Sequence, residues 1–174
     1  MTDHEHLVQF YDDDAVVLDS AVRFLGRGLA SGGACIVVAT REHRIQLEAG
    51  LRASGFALDE AIERGQYVSL DAPSLLARLM VGGALDLSKV EQIVWPIIEE
   101  AKLRYPRVYA FGEMVALLSE AGAHEDALVL EKLWDELAGP HQLSVFCAYP
   151  RRIFRVDEHD VVERICAHHS QVIP

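Results

Sequence analysis

Glu113 is the residue with the clearest chemical opportunity in this chain. It follows Val108-Tyr-Ala-Phe111 and Gly112, and that continuous apolar run is the pattern of a strand buried on both faces. In an open parallel sheet, turns at strand C-termini line the crevice where ligands bind. A carboxylate in such a turn could accept a hydrogen bond from a ligand, or exchange a proton if an imidazole such as His6 or His43 came within reach. The competing reading is architectural. Gly112 then permits a tight turn, and Glu113 sits in the first turn of the next helix, where the macrodipole favours an anion. Glu131 is the second oddity. Ala127, Leu130, Trp134 and Leu137 form an apolar helical stripe, and Glu131 falls within it. A carboxylate facing a core must find a partner or raise its pKa. At the margin of the stripe it would instead reach solvent or an arginine.

The elements that must position these groups alternate between strand and helix. A first strand is expected over 6–11, ending in Asp12-Asp-Asp14, which can cap a helix. A helix over 15–29 stops at Ser31-Gly-Gly33, and a short apolar strand covers 35–39. Thr40 is a plausible N-cap for a helix running to Ser54. A third strand spans 67–70, and Asp71-Ala-Pro73 opens a short helix that Gly82-Gly83 breaks. The helix over 87–104 contains Pro96, so a kink or break is expected there. After the strand at Val108, helices over 115–121 and 124–138 follow, the second ended by Gly139-Pro140. A fifth strand covers 143–149, and a helix over 158–168 leads to a short tail. This order implies a single doubly wound α/β domain, with a mostly parallel five-stranded sheet and helices on both faces.

In that topology five turns share one rim, bringing Tyr11, Glu113 and Tyr149 together as candidate ligand-binding residues, with His6, Arg41, His43 and Glu131 in support. That placement rests on topology rather than on any single motif.

Several functions are disfavoured outright. A net charge of -11 argues against nucleic acid or an anionic membrane as a direct partner, since phosphate binding needs clustered Lys and Arg. The polar start, Met1-Thr-Asp-His-Glu-His6, does not resemble a secretory signal, and no apolar run approaches the roughly 20 residues of a transmembrane helix. A soluble, cytoplasmic protein is expected. Cys35, Cys147 and Cys166 lack zinc-site spacing and read as structural thiols, with Cys35 and Cys147 buried. There is no Gly-x-x-x-x-Gly-Lys-[Ser/Thr], no Gly-x-Gly-x-x-Gly and no Gly-x-Ser-x-Gly, so neither a phosphate loop nor a serine nucleophile has an anchor. The pairs His4/His6 and His168/His169 lie near the chain ends and are expected to be solvated, so no metal or other cofactor is expected.

The stretches His6-Leu-Val-Gln-Phe-Tyr-Asp12, Gly33-Ala-Cys-Ile-Val-Val-Ala-Thr40, Phe111-Gly-Glu-Met114, Leu130-Glu-Lys-Leu-Trp134 and Phe146-Cys-Ala-Tyr-Pro150 resemble the MEDS sensory domains of methanogen and methylotroph regulators. The resemblance covers about residues 4–166. It implies a degenerate RecA/KaiC-like domain without a P-loop, in which Asp12-Asp13-Asp14 stands where the phosphate loop would be. It also implies a bacterial, non-catalytic sensor of a small, hydrocarbon-like organic molecule. No output domain is read in the chain, so the expected partner is a separate histidine kinase or transcription regulator, or a second copy in a homodimer. The alternatives are a diverged enzyme using Glu113 as acid or base, and a pure interaction module. Asp135 departs from the asparagine expected after the tryptophan.

Overall fold

The strand and helix alternation becomes one parallel sheet in the computed structural model, which describes residues 5–174. Strand β1 (His6–Tyr11) leads into α1 (Asp14–Ala30), then β2 (Ala34–Ala39), α2 (Arg41–Ala53), α3 (Leu58–Glu63) and β3 (Tyr67–Asp71). Helix α4 (Ala72–Leu79) follows, then a hairpin of β4 (Met80–Val81) and β5 (Ala84–Leu85), and then α5 (Leu87–Arg104) and β6 (Val108–Gly112). The chain continues through α6 (Met114–Glu120), α7 (His124–His141) and β7 (Leu143–Pro150). A 3-10 turn (Arg151–Ile153), α8 (His159–Ala167) and β8 (Gln171–Ile173) complete it. Among the described residues the main sheet is six-stranded, in the order β3-β2-β6-β7-β1-β8, and every pairing in it is parallel.

Side chains alternate across the pleat, so each strand feeds two cores. Val37, Tyr109, Phe111 and Phe146 pack with α1, α2 and α3 on one face. Ile36, Val38, Val145 and Cys147 pack with α4 to α8 on the other. The connections after β1 and β2 therefore cover the first face, and those after β3, β6 and β7 cover the second. Right-handed crossovers give this result when the chain first winds one way along the sheet and then the other.

Local chemistry sets the helix starts. Asp13 caps α1 by accepting from the Ala15 N–H at 2.9 Å. Asp71 caps α4 with Pro73 in its first turn, and Asp86 caps α5. The hairpin turn needs its glycines, since Gly82 (φ 60°) and Gly83 (φ 84°) both lie in the left-handed region.

The doubly wound α/β class matches the sequence reading, with four local differences. The sheet has six strands rather than five, because the expected tail contains β8, which pairs with Leu7–Gln9 of β1. A strand of three residues, Gln171–Ile173, is too short to show a periodicity. Helix α5 runs through Pro96 without a break, held by Val90, Val94, Ile98 and Ala101 in the core. Helix α7 passes Gly139-Pro140 and ends at His141, with Gln142 in the left-handed conformation (φ 52°). So close to the helix end, a proline removes a single ladder bond and breaks nothing downstream. Finally, α3 and β5 occupy stretches read as connections, and β4 takes the last residues before Gly82, a stretch read as the end of the short helix.

Candidate functional site

The seven residues singled out from the sequence separate into two groups on opposite faces of the sheet. At the C-terminal rim, the turn after β2 passes to one face and the turn after β6 to the other, which makes a crevice between them. Glu113 sits in this crevice and is only 4% exposed. It is the N-cap residue of α6, yet its side chain makes no cap bond to that helix. Its carboxylate instead crosses to the start of α2. There Oε2 accepts the Thr40 N–H at 2.7 Å, and Oε1 is hydrogen-bonded to His43 Nδ1. This supplies an anion at a helix N-terminus whose own Thr40 side chain makes no cap bond. The far nitrogen of His43, Nε2, lies 3.4 Å from Asp14 Oδ2 at the start of α1.

The hydrogen bond that His43 donates to Glu113 is the main reason the His43 pKa rises to about 9; burial opposes it, and the charges of Glu113 and Asp14 add to it. Tyr11 is buried beside them, and its pKa is raised by burial first and then by the charges of Glu113 and Asp14. Arg41 is exposed in the first turn of α2. Glu113, His43 and Tyr11 thus share the rim, and Glu113 and His43 close the crevice with their own side chains.

Gly112 has a different role from the turn expected of it. Its φ is not positive, so its backbone does not require glycine. A Cβ built there would meet nothing within 4 Å. The missing side chain instead leaves open space along the second face of the sheet.

That space is part of an apolar cavity of about 50 Å³ between the sheet and α4 to α7, lined by Ile36, Val38, Ile98, Trp134 and Val145, with Gly112 and Cys147 on its walls. A larger depression of about 320 Å³ between α5 and α7 shares Val94, Ile98 and Trp134 with it. Glu113 lines neither of them.

The second group lies on this same face, beneath α7. Glu131 is fully buried, which decides between its two sequence readings in favour of a core-facing carboxylate with partners. The Tyr149 hydroxyl donates to Oε1 at 2.6 Å, and the Cys147 thiol donates to Oε2 at 3.2 Å. His6 Nε2 lies 3.1 Å from Oε2 and His169 Nε2 lies 3.2 Å from it. Burial pushes the Glu131 pKa up, but the imidazoles of His169 and His6 set close against its carboxylate outweigh it, leaving the carboxyl at about 2. Burial and then the Glu131 charge push the Cys147 thiol and the Tyr149 phenol well above their ordinary values.

His6 and Tyr149 therefore belong with Glu131 and not with Glu113. Two of the histidines read as solvated prove otherwise: His6 is 2% exposed and the His169 side chain is fully buried, while His168 is half-buried. His4 lies outside the described residues. Cys147 and His169 escaped the sequence reading as site residues. For Cys147 a signal existed, since it stands two before Tyr149 on β7 and must share its face. For His169 there was none, because its place depends on β8.

The sequence pattern that defines the MEDS domain (MEthanogen/methylotroph, DcmR Sensory domain) matches residues 5–170. No curated protein matches the chain.

Proposed function

The chain belongs to the MEDS family of sensory domains, and from that premise we propose that it senses a small, hydrocarbon-like molecule held in the apolar cavity beneath α5 and α7. The observation that carries this reading is the cavity itself. Its walls are aliphatic and aromatic apart from the Met114 thioether and the Cys147 thiol, and Gly112 keeps it open. Small-molecule sites are concave and mostly apolar, with few polar groups. A volume of about 50 Å³ suits a molecule of a few heavy atoms. The depression between α5 and α7 is the natural entrance, with Trp134 between the two. Occupancy would press on Trp134 and so on α7, which also carries Glu131. The output would pass to a separate histidine kinase or transcription regulator, or across a homodimer.

This reading is non-catalytic. It is supported by Glu113, the best acid–base candidate, having both oxygens engaged by Thr40 and His43. Descent from a RecA/KaiC-like nucleotide-binding domain is part of the same proposal. It fits a first turn whose Asp13 occupies a helix N-terminal amide that a phosphate would otherwise use.

The test is binding of xenon, propane and short chlorinated alkanes, followed by chemical-shift changes at cavity-lining methyl groups. Saturable shifts at Ile36, Val38 and Val145 are expected in the native protein. They should be lost in Gly112→Val, whose side chain enters the cavity without backbone strain. Shifts that persist in that variant, or that map only to the rim around Glu113, would move the site elsewhere.

A further inference from the structure

We propose that His6, Glu131, Cys147 and His169 form a four-ligand site for a divalent, borderline-soft transition metal, zinc above all, built into the core between α7 and the sheet. Whatever occupies the apolar cavity, this inference stands on the geometry of the four side chains alone.

Their ligand atoms all lie within 4.8 Å of one another. Around Glu131 Oε2 the separations are 3.1 Å to His6 Nε2, 3.2 Å to His169 Nε2 and 3.2 Å to Cys147 Sγ, and Cys147 Sγ lies 3.8 Å from His6 Nε2. Tetrahedral zinc with bonds of about 2.0–2.3 Å to nitrogen, oxygen and sulfur has ligand-to-ligand edges of about 3.3–3.8 Å. These four separations fall close to such edges, and the other two, from His169 to His6 and to Cys147, stay within 4.8 Å, so a cation at the centre would need the His169 ring to move inward.

Hydrogen bonding without an ion accounts for the cluster less well. The His169 Nδ1 lies 2.6 Å from the Ile165 carbonyl oxygen. A carbonyl oxygen only accepts, so Nδ1 carries the proton there. In the neutral ring, Nε2 then presents a lone pair to a carboxylate oxygen, which is repulsive unless a proton or a metal cation stands between them. Consistent with this, His169 Nε2 is near Glu131 but makes no hydrogen bond of acceptable geometry among the described residues, although it is buried. His6 Nδ1 is likewise buried without a hydrogen bond among the described residues, with Asp135 Oδ1 at 3.8 Å.

The surroundings are those of a metal site. Ligating histidines characteristically donate their other ring N–H to a backbone carbonyl or a carboxylate, as His169 does to Ile165, and Asp135 is placed to receive from His6 after a small shift. Tyr149 donates to Oε1 of Glu131, which holds the carboxylate with Oε2 turned inward. Charge closes as well. A dication, one carboxylate, one thiolate and two neutral imidazoles sum to zero, the condition a water-poor core requires. On metal entry the Cys147 S–H proton leaves to solvent and the thiolate takes its place as ligand. The bound ion would tie β1, β7, α7 and the segment before β8 together, with its thiolate ligand on the wall of the apolar cavity.

Titration of chelator-stripped, reduced protein with Co²⁺ tests the site, with zinc as competitor. Expected are one ion per chain, the intense visible bands of tetrahedral Co²⁺, a thiolate charge-transfer band in the near ultraviolet, and full displacement by zinc. Cys147→Ser should lose the charge-transfer band. His169→Ala, with folding of the metal-free variant checked by circular dichroism, should bind at least tenfold more weakly. Failure of the native protein to bind a full equivalent would overturn the proposal. So would binding with only weak octahedral bands, or a charge-transfer band surviving in Cys147→Ser. Adventitious binding at other histidines lacks the thiolate band and counts against it too.

Discussion

Glu113 and His43 meet across the crevice between β2 and β6, the carboxylate reaching from the N-cap of α6 to the third residue of α2. With the Thr40 N–H on the other oxygen, the pair bolts two helix starts on opposite faces of the sheet to one another. The place where a ligand would enter an open α/β sheet is thereby spanned by the protein's own ion pair.

Glu113→Gln should consequently weaken the fold and not merely a binding site. Breaking a buried pair typically costs 3–5 kcal/mol, and a loss of about 3 kcal/mol is expected here because His43 can shed its proton. Urea unfolding checks this. A midpoint unchanged from the native protein would show that the pair does not brace the fold.

The same pair sets the alkaline limb of stability. His43 titrates at about 9 in the folded protein against 6.5 ordinarily. The folded state holds its proton more tightly, so the contribution is complete below about pH 6.5 and disappears as pH rises through 9. Melting temperature should therefore fall across that interval, and Glu113→Gln should flatten the fall.

The acid limb belongs to Glu131. Its carboxyl is depressed from 4.5 to about 2, so the unfolded chain binds the proton more readily. Its contribution is present above about 4.5 and is lost as pH falls towards 2. Glu131→Gln should remove most of this acid dependence while lowering stability near neutrality, as equilibrium unfolding at a series of pH values would reveal.

Thiol reactivity should rank by burial. Burial raises the Cys35 pKa to about 12 and pushes the Cys147 thiol well above its ordinary value, while Cys166 is only partly covered. The thiolate is the reactive form, so native protein should be labelled first at Cys166. Cys35 and Cys147 should react only on unfolding, as mass spectrometry of timed aliquots would resolve. Prompt labelling of Cys35 would contradict the two-sided burial of β2.

ATP with Mg²⁺ should not bind measurably. Asp12, Asp13 and Asp14 follow β1, and Asp13 already occupies the Ala15 N–H where a phosphate would need backbone amides. Calorimetry showing micromolar affinity would contradict this.

The sequence by itself determined the alternation of strand and helix, the burial of β2, β6 and β7, and the chemical oddity of Glu113 and Glu131. Apolar runs, caps and glycine punctuation are local signals, and they record which residues must leave water. The tertiary structure decided who meets whom. Tyr149 and Glu113 both lie near the ends of neighbouring strands, yet the pleat sends the Tyr149 ring to the second face, where its hydroxyl meets Glu131. Glu113, just beyond its strand, turns towards α2. His169 reaches the same cluster only because β8 pairs with β1, a contact between distant segments that no local pattern encodes. Pairing between strands far apart in sequence is set by the packing of the whole sheet, and the partners of a buried charge are chosen there.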